Sequence, residues 1–539
     1  MSKRPYPVDV EFADIQGGIL TAYGRLGFPF GRFGVLCVHE PAKGREFVER
    51  LRTRVTTAVR WPSRKQDIAP GRVMVERPDV TWNLAFTYLG LKRLGIPTRT
   101  LRALPDEFID GMASRCNILG DDTPQNPISA WDDVWNPKMR GNDVHILVML
   151  NGQMNLVDGQ PLPALEEAQR QIEALCDELG GGVELLAGHK GPDTRWQHLE
   201  ALRDSKGLPC SKEHFGYTDA ISDPVFEGQY PKLEEKQRAV GSGATDGAGN
   251  WRPLAAGEFL LGWPDEAQEI PGAALPLDFS RNGTFVAYRK LHQDVAAFHG
   301  WIDRTAAKLQ QIWRLASFEI ARETLLAKVA GRWSDGVPLD VAPTYEEWVA
   351  FNERCPPAEA HVVREDNGRQ RALVDFGYRT DPAGVKCPMG AHIRRVNTRD
   401  MLDPKASSPD PKVWMGSALN NRRRILRRGL PYGHASNKDG EHGIIMLVTC
   451  ASLQRQYEFV QQQWINYGLD ASSGNDTDPL VGNHGPDDKF VIPADPEGED
   501  PPFIATDLQQ FVQTRGGAYF FVPSMTALRM IGMGVVDPT

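Results

Sequence analysis

Along the chain, short apolar runs alternate with stretches whose hydrophobic residues return every three or four positions, the spacing of one helix face. Gly34-Val-Leu-Cys-Val38 reads as a buried strand, and Phe47, Val48, Leu51 and Val55 behind it share a helical face. Val80–Phe86 is strand-like and runs into a short helix, Tyr88–Leu94, closed by Gly95 and Pro97. His145–Leu150 is a third strand, ended by Asn151-Gly152; the helix after it carries Leu165, Ala168, Ile172 and Leu175 and stops at three glycines, 180–182. A strand, a helix, strands, a helix and a strand in this sequence give the ferredoxin-like order.

The rhythm returns later. Gly283–Tyr288 is a strand followed by a helix from about Val295 to Leu309. Gly443–Thr449 is a strand followed by a helix with Leu453, Tyr457, Val460 and Trp464 on one stripe, and Ala518–Val522 closes the set. The expected class is α+β: two ferredoxin-like domains with antiparallel sheets, residues 1–225 and 281–539, joined by long connecting loops over 226–280. The Gly-rich stretch Val240–Asn250 in that connection reads as an exposed loop. Residues 470–502 hold nine acidic residues and one Lys among many Pro and Gly, which reads as a solvated excursion.

The size and charge narrow the function. The chain has 539 residues, 41% of them hydrophobic, and a net charge of −9, so there is material for more than one core. An acidic chain without a basic, aromatic-laced stripe is a poor nucleic-acid binder, because that affinity rests on Lys and Arg against phosphates. Lys3 and Arg4 precede no apolar region of the signal-peptide kind, and the most apolar stretch, Ile444–Ala451, is too short to span a bilayer. Seven scattered cysteines, never in CxxC spacing, argue against a disulfide framework or a zinc site and point to a cytoplasmic protein.

The common catalytic signatures are missing: no HExxH, no phosphate-binding GxxxxGK[ST], no GxSxG and no strand-borne GxGxxG. Three segments carry chemistry in a Gly/Pro-punctuated context. They are His214-Phe-Gly-Tyr-Thr-Asp219-Ala-Ile-Ser-Asp-Pro224, Lys386-Cys-Pro-Met-Gly-Ala-His392-Ile-Arg-Arg-Val-Asn397, and Asn421-Arg-Arg-Arg-Ile-Leu-Arg427-Arg-Gly-Leu-Pro-Tyr432-Gly433. Taken singly, Asp219 could be a turn residue, His392 a core histidine, and the arginine run a solvated face or an anion anchor at Arg427. Together they supply one imidazole, one carboxylate and one guanidinium. Haem with one axial ligand, an acid/base on the open face and a fixed positive charge beside it would use that set.

With these segments in view, the sequence resembles the dye-decolourising (DyP-type) haem peroxidases, of the longer kind. The resemblance extends over most of the chain and includes Asp14-Ile-Gln-Gly-Gly-Ile-Leu20, Gly257-Glu-Phe-Leu-Leu-Gly262, Arg289-Lys-Leu-His-Gln-Asp294, Gly331-Arg-Trp333, Gln461-Gln-Gln-Trp464 and Arg515-Gly-Gly-Ala-Tyr-Phe-Phe521. It implies a dimeric α+β barrel-like arrangement with one haem b between the two halves. Hydrogen peroxide would be the oxidant, and bulky dyes and phenolic compounds the reductants, oxidised by one-electron steps.

The resemblance places the proximal haem ligand at His392, the distal Asp of the family's GxxDG motif at Asp219, and the distal Arg at Arg427, with Arg428 as the fallback register. Arg427 would also pair with a haem propionate. The motif departs from the family at Ala220, where Gly is usual. A carboxylate is expected on the far nitrogen of the ligand imidazole, with Glu458 or Asp507 as candidates. Tyr432, in what reads as a turn, is the candidate for a surface electron relay. The alternative is a haem-binding or haem-handling protein with little turnover; a third reading is a binding module whose His392 is merely core. The reducing substrate and any homo-oligomer are left open by the sequence.

Overall fold

The computed structural model describes residues 8–65, 73–271, 274–357, 368–405, 408–434 and 440–536, so the basic N-terminal residues and the last three lie outside it. Nine strands form one antiparallel sheet: β1 (Phe30–Val38), β2 (Val80–Phe86), β3 (Ile146–Gly152), β4 (Val183–Leu185), β5 (Trp196–Glu200), β6 (Thr284–Gln293), β7 (Leu426–Tyr432), β8 (Gly443–Cys450) and β9 (Val512–Val522). Their order is β7-β8-β6-β9-β2-β3-β1-β4, with β5 also paired to β1. The expected α+β class with two ferredoxin-like, antiparallel halves is what the chain adopts. The halves meet where β9 pairs with β2, at Phe521 opposite Phe86.

The strands read as continuous apolar runs because both of their faces are covered. In β1 every residue but Arg32 is buried. Gly34 is needed there: a Cβ at that position would come within 2.8 Å of the Trp196 ring on β5. Helices α1 (Pro41–Arg52) and α2 (Pro163–Glu178) cover the first half, and both start with Pro, whose fixed φ and missing N–H suit a first helical position. The second half has α3 (Val295–Ile312) and α4 (Phe318–Ala330), packed on each other. The C-terminal helix Met525–Met533 crosses back onto α1. Residues between the halves are not bare loop: Phe226, Leu254 and Phe259–Leu261 are fully buried in the main core.

One helix departs from the expected winding. Leu453–Glu458 and Val460–Ile465 form π-helix rather than α-helix. Such wide turns are rare and concentrate at functional sites. Here the widened helix turns Tyr457, Val460, Gln461 and Ile465 onto the wall of the large internal cavity described next.

Candidate active site

A cavity of about 430 Å³ brings His392, Asp219 and Arg427 onto one surface. His392 opens the short helix His392–Val396, and three buried cations fix that helix in place. Arg394 donates to Asp381 and to the Cys387 carbonyl (2.9 and 2.6 Å), and Arg395 donates to the carbonyls of Trp464 and Asp476 (2.6 and 2.9 Å). Lys328 of α4 donates to the carbonyls of Val385 and Lys386 (3.0 and 2.7 Å). Gly331, in the left-handed conformation at φ 84°, ends α4 where Ile393 packs so closely that a Cβ would collide with it. This explains why the Gly-Arg-Trp segment accompanies the His392 segment.

The carboxylate on His392 is Asp478: its Oδ2 lies 2.9 Å from Nδ1, and its Oδ1 accepts from the Leu480 and Val481 amides. Burial opposes ionisation of Asp478, but the His392 imidazole, Arg395 and the amides outweigh it and hold the carboxyl below its usual range. With Nδ1 engaged, Nε2 is the nitrogen left for a ligand or metal. Neither residue expected for this role occupies it. Glu458 is buried against Arg115 (2.5 Å) and the Tyr519 hydroxyl (2.8 Å), and Asp507 is exposed, 3.7 Å from Lys308. The acidic 470–502 segment is thus more than a solvated excursion, because it carries the fully buried Asp478 to the site.

Asp219 pairs with Arg427 through both carboxylate oxygens and accepts from the Ala220 amide at 2.7 Å. Burial pushes the Asp219 carboxyl up, but Arg427 and the Ala220 amide together bring it below its ordinary value. Ala220 sits at φ 54°, the left-handed region that a glycine takes without strain. Arg428, also on the cavity wall, donates instead to Asp223 and the Ile19 carbonyl. Tyr432 is not at the surface: the Gly-Leu-Pro-Tyr segment continues β7 against β8 and leaves Tyr432 2% exposed, with its ring 4.8 Å from the Lys290 ammonium. Pro431 is tolerated because β7 is an edge strand.

A further cation on the cavity wall stood out less in the sequence. Arg424 donates to the Gly243 carbonyl at 3.2 Å and has no carboxylate partner among the described residues. Burial alone pushes its guanidinium down to about 10. Asn397, on the same cavity wall, has its Oδ1 buried without a hydrogen-bond partner among the described residues. Much of the remaining wall is apolar, with Ile393, Val396, Ile425, Met446 and Leu480 among its residues.

Comparison with known proteins bears on this site. The family profile of the DyP dimeric alpha+beta barrel domain matches residues 14–174. Peroxidase 2 of Mycetinis scorodonius is 25% identical, over 97% of this chain and 88% of that protein. Over nearly its whole length the chain is similar to dye-decolourising peroxidases. Among solved structures, an ancestral D-type dye-decolourising peroxidase superimposes with a TM-score of 0.68 at 22% identity, covering 97% of this chain and 99% of that one. The fungal DyP-type peroxidase of Auricularia auricula-judae gives a TM-score of 0.68 at 19% identity, over 98% and 99% of the two chains. The likeness in fold therefore spans both halves, well beyond the segment the family profile matches.

Proposed function

We propose that this chain is a haem peroxidase that uses hydrogen peroxide to oxidise phenolic compounds and dyes by one-electron steps. The observation that carries the reading is that His392, backed by Asp478, and the Asp219–Arg427 pair face one large cavity. The residues present fit a haem b. Its flat ring would lie among the apolar wall residues, the His392 Nε2 would bind iron, and Arg424, which has no carboxylate partner among the described residues, is suited to a propionate, leaving Arg427 to Asp219. The bound haem supplies the redox chemistry. The chain supplies the rest: Asp219, kept ionised, accepts a proton from the peroxide oxygen nearest to it and returns it to the departing one. Arg427 holds Asp219 in place and stabilises negative charge developing beside it.

Among the described residues no helix is long and apolar enough to cross a membrane. All seven cysteines are free, which supports our placing the protein in the reducing cytoplasm. The test of function is haem titration of the protein and of His392→Ala, followed by peroxide-dependent turnover. A Soret band and haem retention that depend on His392, with dye and phenol oxidation, are expected. Haem uptake without turnover would favour the haem-handling alternative, and haem retention by His392→Ala would move the ligand elsewhere.

A further inference from the structure

Beside the cavity lies a second polar interior that the proposed chemistry does not use. His442 is 1% exposed, and neither ring nitrogen has a hydrogen-bond partner among the described residues. Its ring centroid is 5.2 Å from that of His214 and 5.5 Å from that of His292. His214 Nδ1, His292 Nδ1, Glu441 Oε2, Arg515 Nε and the Tyr432 hydroxyl are likewise buried and unpartnered among those residues. Further in, Lys290 donates to Asp132 at 2.6 Å, with both side chains fully buried. Arg515 sits where the β6–β9 register slips, Lys290 facing Gly516 and Leu291 facing Thr514. No three donors among the described residues converge on a common metal position.

Unpartnered polar atoms are few in native interiors, and where they gather in a roomy polar pocket ordered water is the usual partner. The Glu213–Gln293 pair connects these groups to the cavity. Gln293 Nε2 donates to Glu213 Oε2 at 2.6 Å, both residues line the cavity, and Gln293 Oε1 is buried without a partner. The Gln293 amide also donates to the His442 carbonyl at 3.1 Å. Glu213 stands six residues before Asp219 on the same loop and close enough for the two charges to interact.

We infer that the His214–His292–His442 chamber holds a water cluster and is the inlet through which protons reach the cavity from bulk solvent. The inference rests on the peroxidase reading. Reduction of one peroxide consumes two electrons and two protons and yields two waters. A donor oxidised outside the cavity leaves its proton in solution, so the site must draw two protons per turnover through the protein. The chamber offers imidazoles, which pass a proton by accepting on one nitrogen and releasing from the other. The rings facing His442 are those of His214 and His292, and Glu441 acts on His292. Around these three lie His434, which acts on His214, and Arg515, which acts on His292, while Glu441 also bears on Tyr432, Asp132 and Lys290.

The test uses the haem-loaded protein with ferrocyanide, which delivers an electron and no proton. His442→Phe fills the chamber with a ring that carries no proton. Turnover with ferrocyanide at pH 8 should fall by about 100-fold, with a larger solvent deuterium effect, while haem content and the first reaction with peroxide stay at wild-type levels. His442→Gln, which keeps polar atoms and room for water, should recover part of the loss. A change below about three-fold in His442→Phe, far from what a lost proton carrier costs, overturns the inference. If that variant does not fold, His292→Phe tests the same route from within the chamber under the same criteria. High-resolution diffraction decides occupancy independently, and a dry chamber overturns the inference whatever the kinetics. A wild-type holoprotein that does not consume peroxide would instead sink the peroxidase reading, and the diffraction result would still decide whether the chamber holds water.

Discussion

Asp219 grips Arg427 with both carboxylate oxygens: Nη2 donates to Oδ1, and Nη1 donates to Oδ2 at 3.2 Å. The third of the Asp219 side chain that is exposed looks into the cavity, so the pair faces the space where peroxide would bind. Among the described residues neither partner has another ion pair, and each is the other's largest favourable electrostatic influence.

Breaking that pair from either side should give different signatures. Asp219→Asn removes the proton acceptor and should slow the reaction with peroxide by about 10² to 10⁴-fold at unchanged haem content. Arg427→Leu removes a preorganised charge, a loss of about 3–4 kcal/mol. It also raises the Asp219 carboxyl. The sign follows: the ionised form is the competent one, so the rate falls as pH drops through the Asp219 pKa. In Arg427→Leu that fall should move to higher pH. Stopped-flow pH profiles of the two proteins check it, and superimposable profiles would remove Arg427 from control of Asp219.

Asp478→Asn should weaken the cofactor rather than the proton transfer. The hydrogen bond to His392 Nδ1 would lose its charged acceptor, making Nε2 a poorer ligand; losses of about 10 to 100-fold in metal affinity follow such changes elsewhere. Haem transfer to apomyoglobin, followed at the Soret band, measures it. Retention equal to wild type would mean that packing of the His392–Val396 helix alone orients the imidazole.

At position 220 the departure from the family motif has a backbone cost. Ala220 at φ 54° carries strain of about 1 kcal/mol that Gly would not. Gly also gains freedom in the unfolded chain, which offsets part of that. Ala220→Gly should therefore raise the unfolding temperature slightly and leave haem uptake intact. Because Ala220 lines the cavity, removal of its methyl should also change the peroxide rate. A lower melting temperature would show that the loop, and not the residue, sets this φ.

The sequence made the strand–helix rhythm legible because strands covered on both faces read as unbroken apolar runs. His392, Asp219 and Arg427 stood out because each sits in a Gly/Pro-punctuated motif. Asp478 did not, since it is 86 residues from His392 in an acidic stretch whose composition is that of a solvated loop. Arg424 was hidden in a run of arginines that nothing in sequence separates; folding sends Arg422 to Asp265, Arg423 to the Arg455 carbonyl and Arg424 to the cavity. Tyr432 was misread because Gly-Leu-Pro-Tyr-Gly has turn composition, and only pairing with β8 shows it to be an edge strand. The π winding of 453–465 was invisible, because its apolar spacing satisfies an α-helix equally well.

Acid should weaken the fold through histidines buried neutral. His145, 8% exposed, accepts from the Val38 amide at 2.9 Å on Nδ1, a bond that protonation of that nitrogen abolishes. Burial, helped by Arg93, pushes its imidazole down to about 4. An unfolded histidine titrates near 6.5. Above that pH both states are neutral and nothing is lost. As pH falls from about 6.5 towards 4 the unfolded chain takes up a proton that the folded chain refuses, so stability drops across that window and levels off below it. The full loss from this group is on the order of 3 kcal/mol. His189 and His198, driven down by burial to about 3 and about 4, add slopes of the same sign. In His145→Asn, Oδ1 can take over the role of Nδ1 as acceptor without titrating. Its unfolding free energy, measured between pH 4 and 7, should fall less steeply with acid than wild type, by up to one proton. An unchanged slope would place the acid-sensitive groups elsewhere in the fold.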